Sequence, residues 1–302
     1  MSLLIVGTVA FDAVETPHGK VDRMLGGAAT YAAVAASYFT PVRVVSVVGE
    51  DFSPREHAIF RGRQIDTSGI ERAEGRSFFW SGRYAENMND RTTLDTQLNV
   101  LAGFDPKLPG HFRDSQFIFL ANINPSLQHK VLHQLKRKPR LVALDTMNYW
   151  IEGFLDDLRA VLRRVHVLLI NDSEARQLSG HHNLIEAARR IQKMGPKAVV
   201  IKRGEHGATL VSGREVFAVP AMPLRLVRDP TGAGDSFAGG FMGSLTASES
   251  LDDASLRRAM IYGSVMGSFT VEHFGLARLR RLTKKQIKTR AHQFRRLTHF
   301  KL

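Results

Sequence analysis

The 302-residue sequence contains no cysteine, which excludes disulfides and any chemistry that depends on a thiolate. Nowhere do about 18 apolar residues follow one another without interruption, so a membrane-spanning helix is not expected. Residues 1–12 lack a basic segment, and their apolar run is too short for a signal peptide. These absences fit a reducing compartment, and we expect a cytoplasmic protein that does not bind a membrane.

Acidic residues are missing from the C-terminal end of the chain, where none follows Glu272. Residues 276–302 carry ten Lys or Arg, and removing these ten from the net charge of +13 leaves +3 for the rest. A run of cations can attract phosphate groups, but it is more often a solvated surface. Because no helix-turn-helix, zinc-finger or RNA-binding signature is present, we do not expect nucleic acid as a partner. We interpret the basic tail, about 280–302, as a solvated, partly helical extension.

Short apolar runs recur along the chain and indicate buried strands. They occupy residues 3–6, 42–48, 117–120, 141–144, 165–170 and 198–201. Helical spacing lies between several of them, as at residues 26–39, 129–136 and 184–194. Strands that alternate with helices predict an α/β fold with a mostly parallel sheet covered on both faces. Ligands in such folds bind beyond the carboxyl ends of the strands.

Two segments, about 13–25 and 77–103, break this alternation of strands and helices. In the second segment aromatic and polar residues alternate, which favours half-exposed strands. A small sheet at the carboxyl edge would form a lid that closes on substrate; an ordinary surface hairpin is the alternative. The aromatic side chains either stack on a substrate or form the small core of the lid itself. They are Phe78, Phe79, Trp80 and Tyr84.

The most informative segment is residues 229–245, DPTGAGDSFAGGFMGSL. Its later apolar residues recur every four positions and predict a helix with one buried stripe. The small residues Gly232, Ala233 and Gly234 would form a turn whose amides converge on an anion at the helix N-terminus. Asp235 lies beside this turn and could accept a proton from a hydroxyl that attacks a phosphoryl group. Alternatively, Asp235 is an ordinary first-turn residue and the later glycines serve only helix packing.

This segment resembles the signature of the ribokinase-like (PfkB-type) carbohydrate kinases, Asp-x-x-Gly-Ala-Gly-Asp followed by a Phe-rich helix. Four other stretches resemble the family and occur in its order; they begin at Gly26, Asn171, Lys202 and Val271. The resemblance covers about residues 3–279 and leaves only the basic tail outside. It implies a three-layer sandwich with a central sheet and a small β lid, as a single kinase domain over residues 1–302.

The resemblance implies an ATP-dependent enzyme that phosphorylates a hydroxyl of a small sugar or related polyol. A nucleoside kinase of the same family is one alternative. A non-catalytic ligand-binding or nucleic-acid-binding protein on a kinase scaffold is another, although a binder has no use for a base beside an anion cradle. A Walker A motif is absent, and the first strand lacks the glycines of a dinucleotide-binding fold. A lid-mediated homodimer, known among relatives, is left open.

The resemblance also assigns roles to residues of the phosphoryl-transfer site. Asp235 corresponds to the general base, and the turn before it corresponds to the anion hole for the γ-phosphoryl group. Asn171 and Glu174 match a motif that places Mg²⁺ through water, although a helix-capping pair is the alternative. The nucleotide-binding positions implied by the family are Lys202, Gly204, Gly207, Thr231 and His273. Asp229, with Thr231, aligns with a loop that holds a monovalent cation in many members, so K⁺ is a further expectation.

The acceptor site implied by the resemblance starts at Asp12, whose carboxylate would bind two hydroxyls, although a turn-forming role is the alternative. Its other expected positions are Gly26, Gly27, Tyr31 and Asn99. Tyr31 departs from the family pattern, because many sugar kinases have asparagine there. A tyrosine brings bulk and one hydroxyl in place of an amide, which puts a ribose-like set of contacts in doubt.

Overall fold

A computed structural model describes residues 1–299, so Lys301 of the basic tail lies outside the described part. The strands are β1 (Leu3–Val6), β2 (Ala10–Thr16), β3 (Gly19–Gly26), β4 (Val42–Val48), β5 (Ile65–Arg72), β6 (Phe79–Tyr84), β7 (Arg91–Gln97), β8 (Phe117–Leu120), β9 (Leu141–Asp145), β10 (Val167–Asn171), β11 (Ala198–Lys202), β12 (Ala208–Ser212) and β13 (Glu215–Val219). The helices are α1 (Ala28–Ala36), α2 (Pro54–His57), α3 (Pro125–His133), α4 (Asn148–Gly153), α5 (Leu155–Leu162), α6 (Asp172–Ser179), α7 (Leu184–Gln192), α8 (Ala233–Ser248), α9 (Asp253–Thr270) and α10 (Lys284–Thr298). Within residues 1–299, no helix is both long enough and apolar enough to cross a bilayer.

The central sheet has nine strands in the order β13-β12-β11-β10-β9-β8-β1-β4-β5. The strands from β11 to β5 run parallel, and β12 and β13 extend the sheet through antiparallel pairs. Alternate residues of each strand face opposite sides. Thus Leu3 and Ile5 join one core with α1, α8 and α9, whereas Leu4 and Val6 join a second core with α3, α5 and α7. These three layers confirm the predicted α/β fold.

The predicted boundaries hold for most strands but shift where a cap was not recognised. The helix expected at 129–136 begins at Pro125, because the Asn124 side chain accepts from the Ser126 amide (2.9 Å) and proline suits a first helical position. The strand expected from Val165 begins at Val167, because the Val165 amide still bonds the last turn of α5 through Leu162 O (3.4 Å).

The small sheet has the strand order β3-β2-β6-β7 and includes parts of both segments that break the helical alternation. Because β2 and β6 are paired in parallel, Asp12 lies opposite Trp80 on one face of this sheet. Phe11 lies opposite Phe79 on the other face. The two faces of the small sheet therefore carry different chemistry, and only one of them carries Asp12.

Helix α8 rests directly on α1 and α9 through its glycines. A side-chain carbon at Gly239 would lie 2.3 Å from the carbonyl oxygen of Ala32, and one at Gly240 would lie 2.6 Å from that of Tyr262. Both glycines therefore serve close helix packing. This packing holds the N-terminus of α8 in place at the carboxyl edge of the central sheet.

The basic tail is more closely packed than expected. It forms α10, which begins with a capping box between Thr283 and Gln286, and its Ile287 and Phe294 are buried in the core. Arg290 bonds Glu272 (2.7 Å) and lies over the Phe269 ring (3.8 Å). The expectation of a solvated extension is thus right only for the outer face of α10, because an apolar stripe at helical spacing docks the other face.

Candidate active site

The glycine turn lies at the entrance of α8, as the sequence predicted. Gly232 has φ = 73°, a left-handed conformation that disfavours a side chain, and an added carbon there would lie 2.5 Å from the Tyr31 ring. The Ala233 amide donates to Pro230 O (3.1 Å). The amides of Gly232, Gly234 and Asp235 have no acceptor among the described residues. Three free donors therefore surround the start of α8.

Lys202 places its ammonium group against this turn. Its Nζ lies 2.7 Å from Asp145 Oδ2, and a side-chain carbon at Gly234 would lie 3.1 Å from the same Nζ. The Asp145 and Glu174 carboxylates outweigh the effect of burial and raise the pKa of Lys202. A permanent cation therefore accompanies the free amides, and the helix entrance is an anion site.

Asp235 retains some exposure at the turn, whereas Asp12 and Glu174 are buried. Burial raises the pKa of Asp235 to about 6, and the Asp145 carboxylate adds to this rise while Lys202 and Arg91 oppose it. Burial raises the pKa of Asp12 to about 7, with Asp235 and Asp229 adding to it. These residues come from separate elements, and the fold brings their carboxylates close enough to perturb one another.

Asn171 and Glu174 form a complete capping box at the start of α6. The Asn171 side chain accepts from the Glu174 amide (2.8 Å), and Glu174 Oε2 accepts from the Asn171 amide (3.0 Å). Burial raises the pKa of Glu174 to about 7, and the neighbouring Asp145 carboxylate contributes. The capping role is thus real, and the same Glu174 carboxylate also raises the pKa of Lys202.

Asp12 and the Gly26–Gly27 pair meet where α1 begins. A side-chain carbon at Gly26 would lie 1.9 Å from Asp12 Oδ2, and the neighbouring Gly27 amide opposes the rise in the pKa of Asp12 that burial causes. Thr8 fixes this corner, because its hydroxyl oxygen accepts from the Ala28 amide (2.9 Å). Tyr31, in the first turn of α1, is buried behind Gly232, and its hydroxyl has no partner within residues 1–299.

The loop before α8 is anchored through Asp229, whose side chain is fully buried. Asp229 Oδ1 accepts from the Thr231 amide (2.8 Å), and Oδ2 accepts from the Gly275 amide (3.0 Å). The Thr231 hydroxyl donates to Tyr84 Oη (3.3 Å) in the small sheet. His273, two residues before Gly275, is exposed and takes part in none of these bonds. This network sets the position of the glycine turn.

The small sheet reaches the turn at Gly204–His206 as well as the glycine turn. Gly204 and Gly207 have φ of 52° and 81°, values that favour glycine. An added carbon at Gly204 would lie 2.5 Å from Asn89 Oδ1, and Asn89 Nδ2 donates to Glu205 Oε1 (3.2 Å). The tip of the β6–β7 hairpin therefore touches the expected nucleotide side of the site.

Asn99 is not brought to the carboxylates. Its side chain donates to Ser77 O (2.9 Å) and lines a cavity of about 390 Å³ together with Phe11 and Phe79, on the other face of the small sheet. Neither Asp12 nor Asp235 lines that cavity. Its role in substrate binding stays a prediction.

The family model for the pfkB family carbohydrate kinases matches residues 2–281. The chain belongs to this family. The match ends just before α10.

Curated relatives of this PfkB-family chain include enzymes named for different acceptors. A cytidine kinase of Thermococcus kodakarensis is 31% identical over 259 residues, which cover 84% of this chain and 91% of the relative. An inositol 3-kinase of Arabidopsis thaliana is 27% identical, with 90% of this chain and 74% of the relative covered. The protein is therefore a sugar or nucleoside kinase of the PfkB family, as the resemblance implied.

The fold also matches solved PfkB-type structures. The aminoimidazole riboside kinase from Salmonella enterica, solved with aminoimidazole riboside and an ATP analogue, superposes with a TM-score of 0.75 at 20% identity. The superposition covers 96% of this chain and all of that one. This agreement confirms the predicted three-layer sandwich with its central sheet and small β lid.

Two side chains of the site were missed from the sequence. Asp145 ends β9, and a polar residue directly after a buried strand is a signal that could have revealed it. Arg91 lies opposite Tyr84 in the small sheet and lowers the pKa values of Asp12, Glu174 and Asp235. Arg83, in the same sheet, bonds Glu15 instead (3.1 Å).

The carboxylates of this PfkB-family site fit a divalent cation bound mainly through water. Within residues 1–299, no three His, Asp or Glu side chains form a group that could ligate a metal directly. Asp145 and Glu174 are buried and repel each other, since Asp145 raises the pKa of Glu174. A hydrated Mg²⁺ between them and a polyphosphate would relieve this repulsion.

Proposed function

We propose that this PfkB-family kinase transfers the γ-phosphoryl group of ATP to a hydroxyl of a small molecule, with Asp235 as the general base. The observation that carries the proposal is the juxtaposition of Asp235, with its pKa of about 6, and free amides at the same helix entrance. Such a carboxylate is largely ionised at pH 7 and still basic enough to accept a hydroxyl proton.

The proposed reaction proceeds in a single displacement. The acceptor hydroxyl attacks the γ-phosphorus while its proton moves to Asp235, and the bond from that phosphorus to the bridging oxygen of ADP breaks. The amides of Gly232 and Gly234 donate to the phosphoryl oxygens, and the Lys202 ammonium offsets their charge. Ala233 contributes conformation rather than a donor, because its amide is already bonded to Pro230.

Mg²⁺ would enter with ATP and be held through water by Glu174 and Asp145, with Asn171 fixing Glu174 through the capping box. Its chemistry there is neutralisation of phosphate charge. Lys202, Gly204 and Gly207 would line the nucleotide side. A K⁺ site at Asp229 and Thr231 stays a prediction; both Asp229 oxygens already accept one hydrogen bond, so backbone carbonyls would supply most of its ligands.

We propose that the small sheet acts as the lid of a single kinase domain. Two contacts support this role: Thr231 with Tyr84 at the glycine turn, and Glu205 with Asn89 at the hairpin tip. Both join the small sheet to loops at the carboxyl edge of the central sheet. Closure over bound substrates would exclude water and protect the transferring phosphoryl group from hydrolysis.

We propose a nucleoside as the acceptor, with Asp12 accepting hydrogen bonds from two ribose hydroxyls. Trp80 lies on the same face of the small sheet as Asp12, and its ring lies over Gly82, where an added carbon would be 2.2 Å away. The indole thus rests on the sheet with the Arg91 guanidinium 5.2 Å from its ring centre, and an aromatic ring and a guanidinium can both stack on a base. Similarity to the cytidine kinase over 84% of the chain adds support.

A polyol is the second candidate acceptor, because the inositol 3-kinase aligns with 90% of the chain. An ADP-release assay with Mg-ATP and a panel of nucleosides, pentoses, hexoses and inositols tests both. We expect the highest kcat/KM with a nucleoside, and Trp80→Ala should raise its KM more than that of a free sugar. Preference for inositol, with no effect of Trp80→Ala, would reject the nucleoside. The absence of ADP release with every acceptor would reject the proposed kinase activity.

A further inference from the structure

A second charged cavity lies at the amino edge of the central sheet, opposite the edge that carries Asp235. Its volume is about 620 Å³, within the usual range of about 300–1,000 Å³ for small-molecule sites. The loops that precede β9, β10 and β11 form its walls. Its cationic side chains are Lys136, Arg137, Lys138, Arg163, Arg164 and Lys197.

No carboxylate balances this positive charge. Asp and Glu are absent from the lining of the cavity, and none of its six cations forms an ion pair with a carboxylate within residues 1–299. Arg164 instead contacts His133 Nε2 (3.0 Å). Six like charges around one concave surface repel one another, and low-dielectric walls strengthen the field inside.

His166 adds a neutral donor to the same lining. Its Nδ1 accepts from the Val142 amide (3.0 Å), so in the neutral ring the proton resides on Nε2. Burial, Lys197 and Lys138 lower the pKa of His166, and no carboxylate opposes them. The Nε2–H group has no acceptor among the described residues, which leaves a donor for a ligand.

Stabilisation of helix ends explains only part of this cluster. Arg163 caps α5, and a cation in that position complements the negative end of a helix. Lys138 and Lys197, however, lie beyond the ends of α3 and α7, just before β9 and β11. By contrast, Arg290 in the basic helix α10 is paired with Glu272. Lys138 and Lys197 therefore lie at the cavity without a structural partner for their ammonium groups among the described residues.

We propose that this cavity is a second ligand site, which binds a small anion with two or more linked phosphate groups. Several separate cations suit several phosphates, and the His166 donor can bond an oxygen between them. The site would recognise a chain of linked phosphates, whether the chain is inorganic or part of a nucleotide. A cluster of cations confined to one cavity favours such a ligand over nucleic acid, whose backbone phosphates require an extended track of cations.

Isothermal titration calorimetry with inorganic tripolyphosphate tests the proposal on the full chain. The cavity variant carries Lys138→Gln, Arg163→Gln and Lys197→Gln. The matched control carries Lys284→Gln, Lys285→Gln and Lys288→Gln, which remove the same charge from the exposed face of α10. We expect the cavity variant to bind one equivalent less than the wild type, or to bind that equivalent about a hundredfold more weakly. The control should bind as the wild type does.

Folding is monitored by the unfolding temperature without ligand. The cavity variant should unfold at the same or a higher temperature than the wild type at low salt, because repulsion is removed. Tripolyphosphate should raise this temperature more in the wild type than in the cavity variant. Equal affinity of this site for ATP and tripolyphosphate would assign recognition to the phosphates, whereas tighter binding of ATP would assign a nucleotide; both support the site.

Three results would overturn the proposal. Unchanged stoichiometry and affinity in the cavity variant would show that the cavity binds no polyphosphate. An equal loss in the α10 control would show only a general effect of charge. Binding of a short single-stranded RNA that is lost in the cavity variant, with no tripolyphosphate binding in the wild type, would assign the surface to nucleic acid. None of these variants touches Asp235 or the glycine turn, so the outcome is independent of the proposed kinase mechanism.

Discussion

The two edges of the central sheet differ in how their charged side chains are placed: they are buried and interact with one another at one edge, and they are exposed at the other. At the carboxyl edge, Asp12, Asp145 and Glu174 are buried. Burial raises the pKa values of Asp12 and Glu174, and the Asp145 carboxylate also raises those of Glu174 and Lys202. At the amino edge, cations such as Lys138 and Lys197 are exposed and have no carboxylate partner in the part of the chain that the structure describes. Burial turns charges into tuned acids and bases, whereas exposure leaves them available for an incoming anion. The following experiments test this contrast.

The largest effect is expected from Asp235→Asn at the carboxyl edge. Loss of a positioned base should lower kcat by about 10²–10⁴ while ATP binding stays nearly unchanged. Asp253→Asn is a matched control, because Asp253 also lies in the first turn of a helix but is exposed and bonds Arg257. Steady-state kinetics with the best acceptor provides the measurement. Turnover of Asp235→Asn within about threefold of the wild type would refute the role as base.

Lys202→Met should lower kcat/KM by about 10²–10³, because an unbalanced carboxylate cluster would face the phosphoryl group. Lys202 also lowers the pKa of Asp235, so its removal should move the acidic limb of the pH profile to higher pH. In the wild type, activity should fall as the pH drops below about 6, where Asp235 gains a proton. Lys193→Met, on the amino side of the central sheet, is the control and should change neither kcat/KM nor the pH profile. If the acidic limb of the pH profile did not shift in Lys202→Met, Lys202 would not control the pKa of Asp235.

Gly232→Ala should destabilise the protein and abolish most activity. The left-handed backbone costs an added side chain about 1–2 kcal/mol, and the Tyr31 ring 2.5 Å away adds a further cost of about 1–3 kcal/mol. Gly213→Ala separates the two causes, because Gly213 also has a positive φ but no atom within 4 Å. Urea unfolding should show a larger loss for Gly232→Ala than for Gly213→Ala. Equal losses would mean that Tyr31 does not confine the turn.

Asp12→Asn should stabilise the fold at pH 8 by more than at pH 5. The pKa of Asp12 is about 7 in the folded chain, compared with an ordinary value of 3.8. At any pH between these two pKa values, the folded chain therefore binds more protons than the unfolded chain. Stability contributed by this group therefore falls as pH rises through that window. We expect a difference on the order of 2 kcal/mol between the two pH values in urea unfolding.

The exposed Asp114 supplies the control for that measurement, since Asp114→Asn should show the same change in stability at both pH values. If Asp12→Asn also changed the free energy of unfolding equally at pH 5 and pH 8, the Asp12 carboxylate would not be held in an unfavourable environment. The same variant should raise the KM of the acceptor, because a polar group retained at a cost to stability suits a binding role.

The smallest effect is expected in the small sheet. Arg91→Ala should raise KM or lower kcat by about tenfold, because Arg91 lies near three site carboxylates and would help to close the lid. Arg83→Ala should leave kinetics unchanged, since Arg83 bonds Glu15. Equal effects of the two variants would show that the faces of the small sheet are not functionally distinct.

The contrast between the edges also separates what was predictable from what was not. The apolar runs identified β1, β4, β8 and β11, because buried parallel strands are encoded within a few consecutive residues. The turn from Gly232 to Asp235 was predictable for the same reason: its small residues and carboxylate are adjacent in the chain. The boundaries of α3 and β10 shifted, because the Asn124 cap and the bond from the Val165 amide to the last turn of α5 were not recognised in the sequence.

The sequence alone thus determined the sheet, the helix that begins at the glycine turn and the candidate base. Only the tertiary structure decided that Asp145 pairs with Lys202, that Tyr31 lies behind Gly232 and that Arg91 faces the carboxylates. It also decided that cations from three separate loops share one cavity. The physical reason is that crossover connections align strand ends from distant parts of the chain, and local patterns carry no record of such distances.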